Sequence, residues 1–97
     1  MPTDQEIDSL MEAVDTLKAM ANPKRLAILC RLGMGEVCVN DLSDEVELSQ
    51  SALSQHLAKL RDQGIVSTRR EQQTIYYKLD SPEIETLIAT LRKIYCD

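Results

Sequence analysis

Three thiols and one imidazole, Cys30, Cys38, Cys96 and His56, are the side chains best suited to soft-metal, redox or proton-transfer chemistry in this chain. The cysteines are odd in number, irregularly spaced and without a C-x-x-C pair. A structural disulfide framework is therefore not expected, and the thiols should normally be reduced. His56 has no accompanying pattern of nucleophile and carboxylate, and the chain has no Gly-rich phosphate loop or metal-hydrolase motif. An enzyme is not expected. A different chemistry lies in "LSQSALSQHLAKL" (48–60), where Ser and Gln side chains can read base edges and Lys59 can meet a phosphate.

Helical phase decides which of these side chains point outward. Leu53, Leu57 and Leu60 fall together and must face a core, which turns Ser51, Gln55, Ala58 and Asp62 outward, with Ser54 and Lys59 flanking them. The outward N-terminal half is small and hydrogen-bonding, and a helix N-terminus itself attracts phosphate. His56 sits beside the leucine stripe, so it is expected at the domain edge or against a DNA backbone.

The elements that must hold this helix follow from local signals. Thr3 and Glu6 have capping-box spacing, and Ile7, Leu10, Met11, Val14 and Leu17 recur at helical period, which predicts a first helix from Asp4 to Met20. Asn22-Pro23 reads as N-cap and first residue of a second helix through "KRLAILCRL". A short helix is expected near Asn40 to Glu47, and Ser49 should cap the next, which ends at Gly64. "IVSTRR" and "TIYYKL" read as an antiparallel hairpin. Ser81-Pro82 opens a last helix with Ile84, Leu87, Ile88, Leu91 and Ile94 on one stripe. A short helix, a turn and a longer helix followed by a hairpin make a winged helix-turn-helix. The expected fold is mainly α: about five helices plus a two-stranded wing.

Charge is consistent with that use. The chain carries a formal net charge of −5. Yet between Ser49 and Leu79 the basic residues Lys59, Arg61, Arg69, Arg70 and Lys78 face only Asp62 and Glu71. Exposed charges beyond about 8 Å are largely screened at physiological salt, so a basic face on an acidic protein can still bind a polyanion. With 97 residues and no Trp or Phe, the core must come from Leu, Ile, Val, Ala and Met, and an oligomer interface would help it. No apolar run reaches the roughly 20 residues of a membrane helix and "MPTDQEIDSL" is not a signal peptide, so a cytoplasmic location is expected and no membrane partner.

"LKAMANPKRLAILCRL", "LSQSALSQHLAKLRDQGIVSTRREQQTIYYKL" and the terminal "IYC" together resemble the ArsR/SmtB family of bacterial winged-helix repressors, and within it the dithiol branch that senses sulfide and redox state. The resemblance runs from about Leu17 to Cys96. It implies a homodimer that pairs through its first and last helices and represses palindromic operators until an inducer acts. Both terminal helices carry longer apolar stripes than so short a chain needs for its own core, which agrees.

Two metal sites used in the family can be tested against the residues. The zinc type on the last helix needs His among its ligands, and "SPEIETLIATLRKIYCD" has none. The arsenic and cadmium type needs a C-x-C core, and "EVCVNDLS" keeps Cys38 while Asn40 and Ser43 stand where further thiolates would be. No metal and no cofactor is therefore expected, and Cys38 reads as a small apolar residue. Cys30 and Cys96 match the two reactive cysteines of the sulfur-sensing branch. The resemblance implies that they sense persulfides, polysulfides or oxidants by forming a bridge. Lys24 and Arg31 near Cys30, and Arg92 and Lys93 near Cys96, are expected to depress the thiol pKa values. "AILCRL" is equally what a buried helix cysteine looks like.

The expected protein is one winged-helix domain over 1–97, with dimerisation segments at 1–21 and 82–97, the helix-turn-helix at 40–64 and the wing at 65–80. Ser51, Ser54, Gln55 and Gln50 are expected to read bases, and His56, Lys59, Arg69, Arg70 and Gln73 to position the backbone. Cys30 and Cys96 are the expected sensor. Two alternatives stay open: an As(III)- or Cd(II)-responsive repressor using Cys30, Cys38 and Cys96, and an interaction module that binds an acidic protein rather than DNA.

Overall fold

The structure, a computed structural model, describes residues 1–96. Asp97, the last position of the expected C-terminal dimerisation segment, lies outside the described residues. The elements in chain order are α1 (Asp4–Met20), α2 (Pro23–Leu32), β1 (Val37–Cys38), α3 (Val39–Glu45), α4 (Gln50–Asp62), β2 (Val66–Glu71), β3 (Thr74–Leu79) and α5 (Pro82–Tyr95). This is a winged helix-turn-helix of five helices and a three-stranded antiparallel sheet.

The caps work as their residue types require. Thr3 Oγ1 accepts from the Glu6 amide at 3.1 Å, and Asn22 Oδ1 accepts from the Lys24 and Arg25 amides at 2.9 and 3.1 Å. Ser49 and Ser81 accept from Ala52 and Ile84 in the same way. Each satisfies N–H groups that the first helical turn leaves without partners. At the far end of α4 the Ile65 amide bonds to Leu60 O at 2.9 Å and the Gly64 amide to Arg61 O at 3.0 Å. That is a Schellman motif, and it requires the positive φ of 73° that Gly64 adopts. Leu60 and Ile65 are both buried beside it. A Cβ at Gly64 would meet nothing within 4 Å, so Gly64→Ala should cost only the backbone penalty. The expected loss is about 1 to 2 kcal/mol, read as a lower urea midpoint with an unchanged slope. An unchanged midpoint would mean that the motif does not need the left-handed residue.

Ile28, Leu29, Leu42, Leu53, Leu57, Leu60, Ile84 and Ile88 are the most fully buried side chains. The core thus joins α2, α3, α4 and α5, and it holds the leucine stripe of α4 inward as the helical phase required. α1 contributes only Ala19 and Met20 from its last turn. The rest of its stripe is exposed, with Leu10 at 56 % and Met11 at 62 %. The α5 stripe divides: Ile84 and Ile88 are buried, Leu87 and Leu91 half-buried, and Ile94 exposed.

Two expectations are corrected. The hairpin is not alone, because β1 adds to the outer edge of β3 with Val37 opposite Tyr77 and Cys38 opposite Tyr76. Two residues are too few to show a period of two, and the strand forms because β3 offers an open edge of backbone donors and acceptors. In addition, α3 begins at Val39 rather than Asn40 and ends at Glu45, since the chain turns directly out of β1 with Cys38 as an N-cap that makes no side-chain bond. The following turn places Glu47 at φ 55°.

Candidate nucleic-acid interface and thiol pair

The α3–turn–α4 unit presents one face of α4 to solvent. Ser51, Ser54, Gln55, Ala58 and Lys59 are exposed, Asp62 is exposed farther along, and His56 is half-buried at the edge. Gln50 is exposed but not free, for its Nε2 donates to Asn40 Oδ1 at 2.6 Å and so ties the start of α4 to α3. Asn40 is thus a hydrogen-bond acceptor for the first turn of α4. Sequence spacing carried no signal for this pair, which lies ten residues apart across the turn.

Strands β2 and β3 form the wing in continuous register from Val66 opposite Leu79 to Glu71 opposite Thr74. Its tip is the two-residue turn Gln72-Gln73, in which Gln72 takes the left-handed region at φ 57° and Gln73 is exposed. Arg70 is exposed and in no ion pair among the described residues, so it is an available cation. Arg69 is held. Its Nε donates to both Glu36 carboxylate oxygens at 2.8 and 3.0 Å, its Nη1 to Glu71 at 3.0 Å, and the guanidinium lies 4.3 Å from the Tyr76 ring centroid. The hydrogen bond from Arg69 holds the Glu36 carboxyl below its ordinary range, and these bonds raise Arg69 further above neutrality. Arg69 therefore braces the wing against the segment before β1. Glu36 was missed by sequence reasoning because it is 33 positions from its partner.

The two candidate sensor cysteines come from opposite ends of the chain. Cys30 is half-buried on the last turn of α2, packed against the core, and Cys96 is the exposed C-cap of α5. Arg92 Nη2 donates to Cys30 O at 3.3 Å, which fastens the end of α5 to α2. Burial pushes the Cys30 thiol up; Arg92 pulls it partly back, and the charge of Cys96 raises it again. The expected depression of the Cys30 pKa is overturned. Arg31 is occupied by Glu45 and by Gly35 O, and Lys24 is six residues away at the other end of α2, about 9 Å along the axis. A cavity of about 440 Å³ has Cys30, Arg31, Met34, Glu45 and Arg92 in its lining. Arg92 Nε is buried with no acceptor among the described residues.

Cys38 lies apart in character: half-buried in β1, opposite Tyr76 and at the start of α3. Among the described residues no three His, Cys, Asp or Glu side chains gather to hold a metal ion. Cys30, Cys38 and Cys96 form no such group among the described residues.

The model of bacterial regulatory proteins of the arsR family matches residues 22–68, from the cap of α2 into β2. The transcriptional activator HlyU of Vibrio cholerae is 55 % identical over 85 residues, which cover 88 % of this chain and 79 % of that protein. This chain belongs to the ArsR family. Within it the fold agrees closely with solved members. Reduced HlyU from Vibrio cholerae has a TM-score of 0.94 at 49 % identity, covering 98 % of this chain and 100 % of the other. The transcriptional repressor BigR from Xylella fastidiosa has a TM-score of 0.89 at 34 % identity, covering 100 % and 99 %. This ArsR-family chain is a winged-helix transcriptional regulator. The family match spans the helix-turn-helix and ends at Thr68, before most of the wing and before Cys96.

Proposed function

We propose that the chain is a homodimeric repressor of a palindromic operator, released when persulfides, polysulfides or oxidants join Cys30 to Cys96. The observation that carries the DNA half is the exposed hydrogen-bonding face of α4 beside an available wing cation, Arg70, in a protein of net charge −5. Ser51, Ser54 and Gln55 read base edges, with Gln50 held by Asn40 at the entrance. His56, Lys59, Arg70 and Gln73 contact the backbone, and Arg69 positions the wing. Segments 1–21 and 82–97 pair the subunits, 40–64 forms the reader and 65–80 the wing. Two recognition helices about 34 Å apart would then enter successive major grooves of one duplex. The pairing of the relatives with the names activator and repressor makes the sign of regulation part of the proposal.

The sensor half rests on the fastening of α5 to α2 beside two free thiols. The balanced chemistry has two steps. One thiolate attacks the outer sulfur of a persulfide RSSH, leaving RSH and a cysteine persulfide. The second thiol attacks that persulfide, forming the disulfide and releasing H₂S, so the two thiols are oxidised and one sulfane sulfur is reduced. Cys96 is the more exposed thiol and Cys30 the one whose thiolate is disfavoured, so Cys96 acts first and Cys30 resolves.

The DNA half is tested on a duplex selected from a random-sequence pool and on its single-base variants. Gln55→Ala should weaken the matched duplex by about 1 to 3 kcal/mol and relax the preference at one position. Arg70→Ala should weaken all duplexes alike and flatten the salt dependence. Equal behaviour of the two variants on matched and mismatched duplexes would remove the division between reading and positioning. Failure to select any duplex would favour an acidic protein partner instead.

A further inference from the structure

At the corner of α1 and α2 an open cleft of about 340 Å³ runs to the recognition helix, lined by Lys18, Ala19, Arg25, Lys59, Asp62 and Gln63. Arg25 forms its back wall: Nε donates to Ala19 O at 2.9 Å and Nη2 to Lys18 O at 3.0 Å, so the guanidinium both closes the corner and fixes its charge there. Lys18 and Lys59 are exposed on either side. The ion pairs among the described residues join Arg31 to Glu45 and Arg69 to Glu36 and Glu71. None neutralises Lys18, Arg25 or Lys59. Three unpaired cations therefore converge on one cleft with a single carboxylate, in a protein that is acidic as a whole.

The position of the cleft indicates the anion. Lys59 stands one helical turn beyond Gln55 on α4, about 6 Å along the axis, so an anion in the cleft lies beside the turn that reads bases. The cleft is open and two long, exposed lysine side chains flank it, which suits one phosphate of a continuous polyanion better than an enclosed small-anion site. We infer that this cleft receives a DNA backbone phosphate, with Lys18 and Lys59 supplying charge and Arg25 holding the end of α1 in place through the Lys18 and Ala19 carbonyls. The inference rests on the DNA-binding reading above and extends the DNA contact beyond the helix-turn-helix and wing to the end of α1.

The test measures affinity against salt concentration for a random-sequence 30-base-pair duplex and for the selected duplex. One phosphate contact contributes about 0.9 to the slope of log affinity on log salt. Lys18→Gln should make the slope shallower by about 0.9 for each subunit engaged and lower affinity about fivefold per subunit at 0.15 M salt, with base preference unchanged. Lys18→Arg should restore both. Thermal unfolding of each variant should match the parent, since the Lys18 side chain is exposed. A Lys18→Gln protein with the parent's slope overturns the inference while leaving the DNA reading intact. So does perturbation of Lys18 by millimolar inorganic phosphate without any change in the DNA slope, which marks a free-anion site. A parent protein with no salt-dependent duplex binding overturns the DNA reading itself.

Discussion

Treating the reduced protein with inorganic polysulfide is expected to lower its affinity for the selected duplex at least about tenfold, a coupling of about 1.4 kcal/mol, and dithiothreitol should restore it. The physical route is short. Cys30 lies on the last turn of α2, whose Ile28 and Leu29 are in the core, and Cys96 caps α5, whose Ile94 is exposed. A bond between them adds a covalent link to the hydrogen bond from Arg92 to Cys30 O and fixes α5 against α2. The separation of two recognition helices depends on how the terminal helices pack. A small shift there costs affinity without altering any residue that touches a base.

The variants divide the roles. Cys30→Ser and Cys96→Ser should each bind DNA and fail to respond, and Cys38→Ser should respond normally. Mass spectrometry should show a persulfide retained on Cys96 in Cys30→Ser, and slow modification of Cys30 in Cys96→Ser. Because burial raises the Cys30 thiol, its thiolate is scarcer at any given pH than that of an exposed cysteine, and it becomes scarcer still as pH falls, so closure of the bridge should slow toward acid pH. If Cys38→Ser loses the response instead, the pairing of Cys30 with Cys96 is wrong and a metalloid-responsive site takes its place, to be checked by As(III) and Cd(II) titration.

Leu10→Asp and Leu91→Asp should convert the protein to a monomer or a poorly folded chain, each costing the dimer about 3 kcal/mol or more, because a carboxylate would be buried without a partner. The two substitutions differ in an informative way. Leu10 is 56 % exposed in the single chain, so Leu10→Asp should leave the fold and thermal stability of the chain intact and appear in sedimentation as loss of the dimer. Leu91 is half-buried against the chain's own core as well, so Leu91→Asp should also lower thermal stability. DNA affinity should fall in both, since a monomer engages one half-site and loses the second contact's effective concentration. Dimers of undiminished stability after both changes would show that neither stripe is covered.

The helices and their limits were legible because the signals are local. Thr3, Asn22-Pro23, Ser49 and Ser81-Pro82 act on amides two or three residues away, and Gly64 acts within one turn, so identity and spacing suffice. The phase of α4 was legible for the same reason: Leu53, Leu57 and Leu60 can share only one face, and burial of that face leaves Ser51, Ser54 and Gln55 outside. The sequence by itself therefore determined the winged helix-turn-helix, the side of α4 that faces solvent and the absence of a histidine-based site on α5. Tertiary structure alone decided the third strand, the clamp of Glu36 on Arg69, the engagement of Gln50 by Asn40, and the convergence of Lys18, Arg25 and Lys59. It also reversed the expected effect on Cys30, since Arg31 is bound to Glu45 and burial outweighs the remaining cation. These features join residues distant in the chain, and their energies depend on distance and solvent exposure, which spacing along a sequence does not encode.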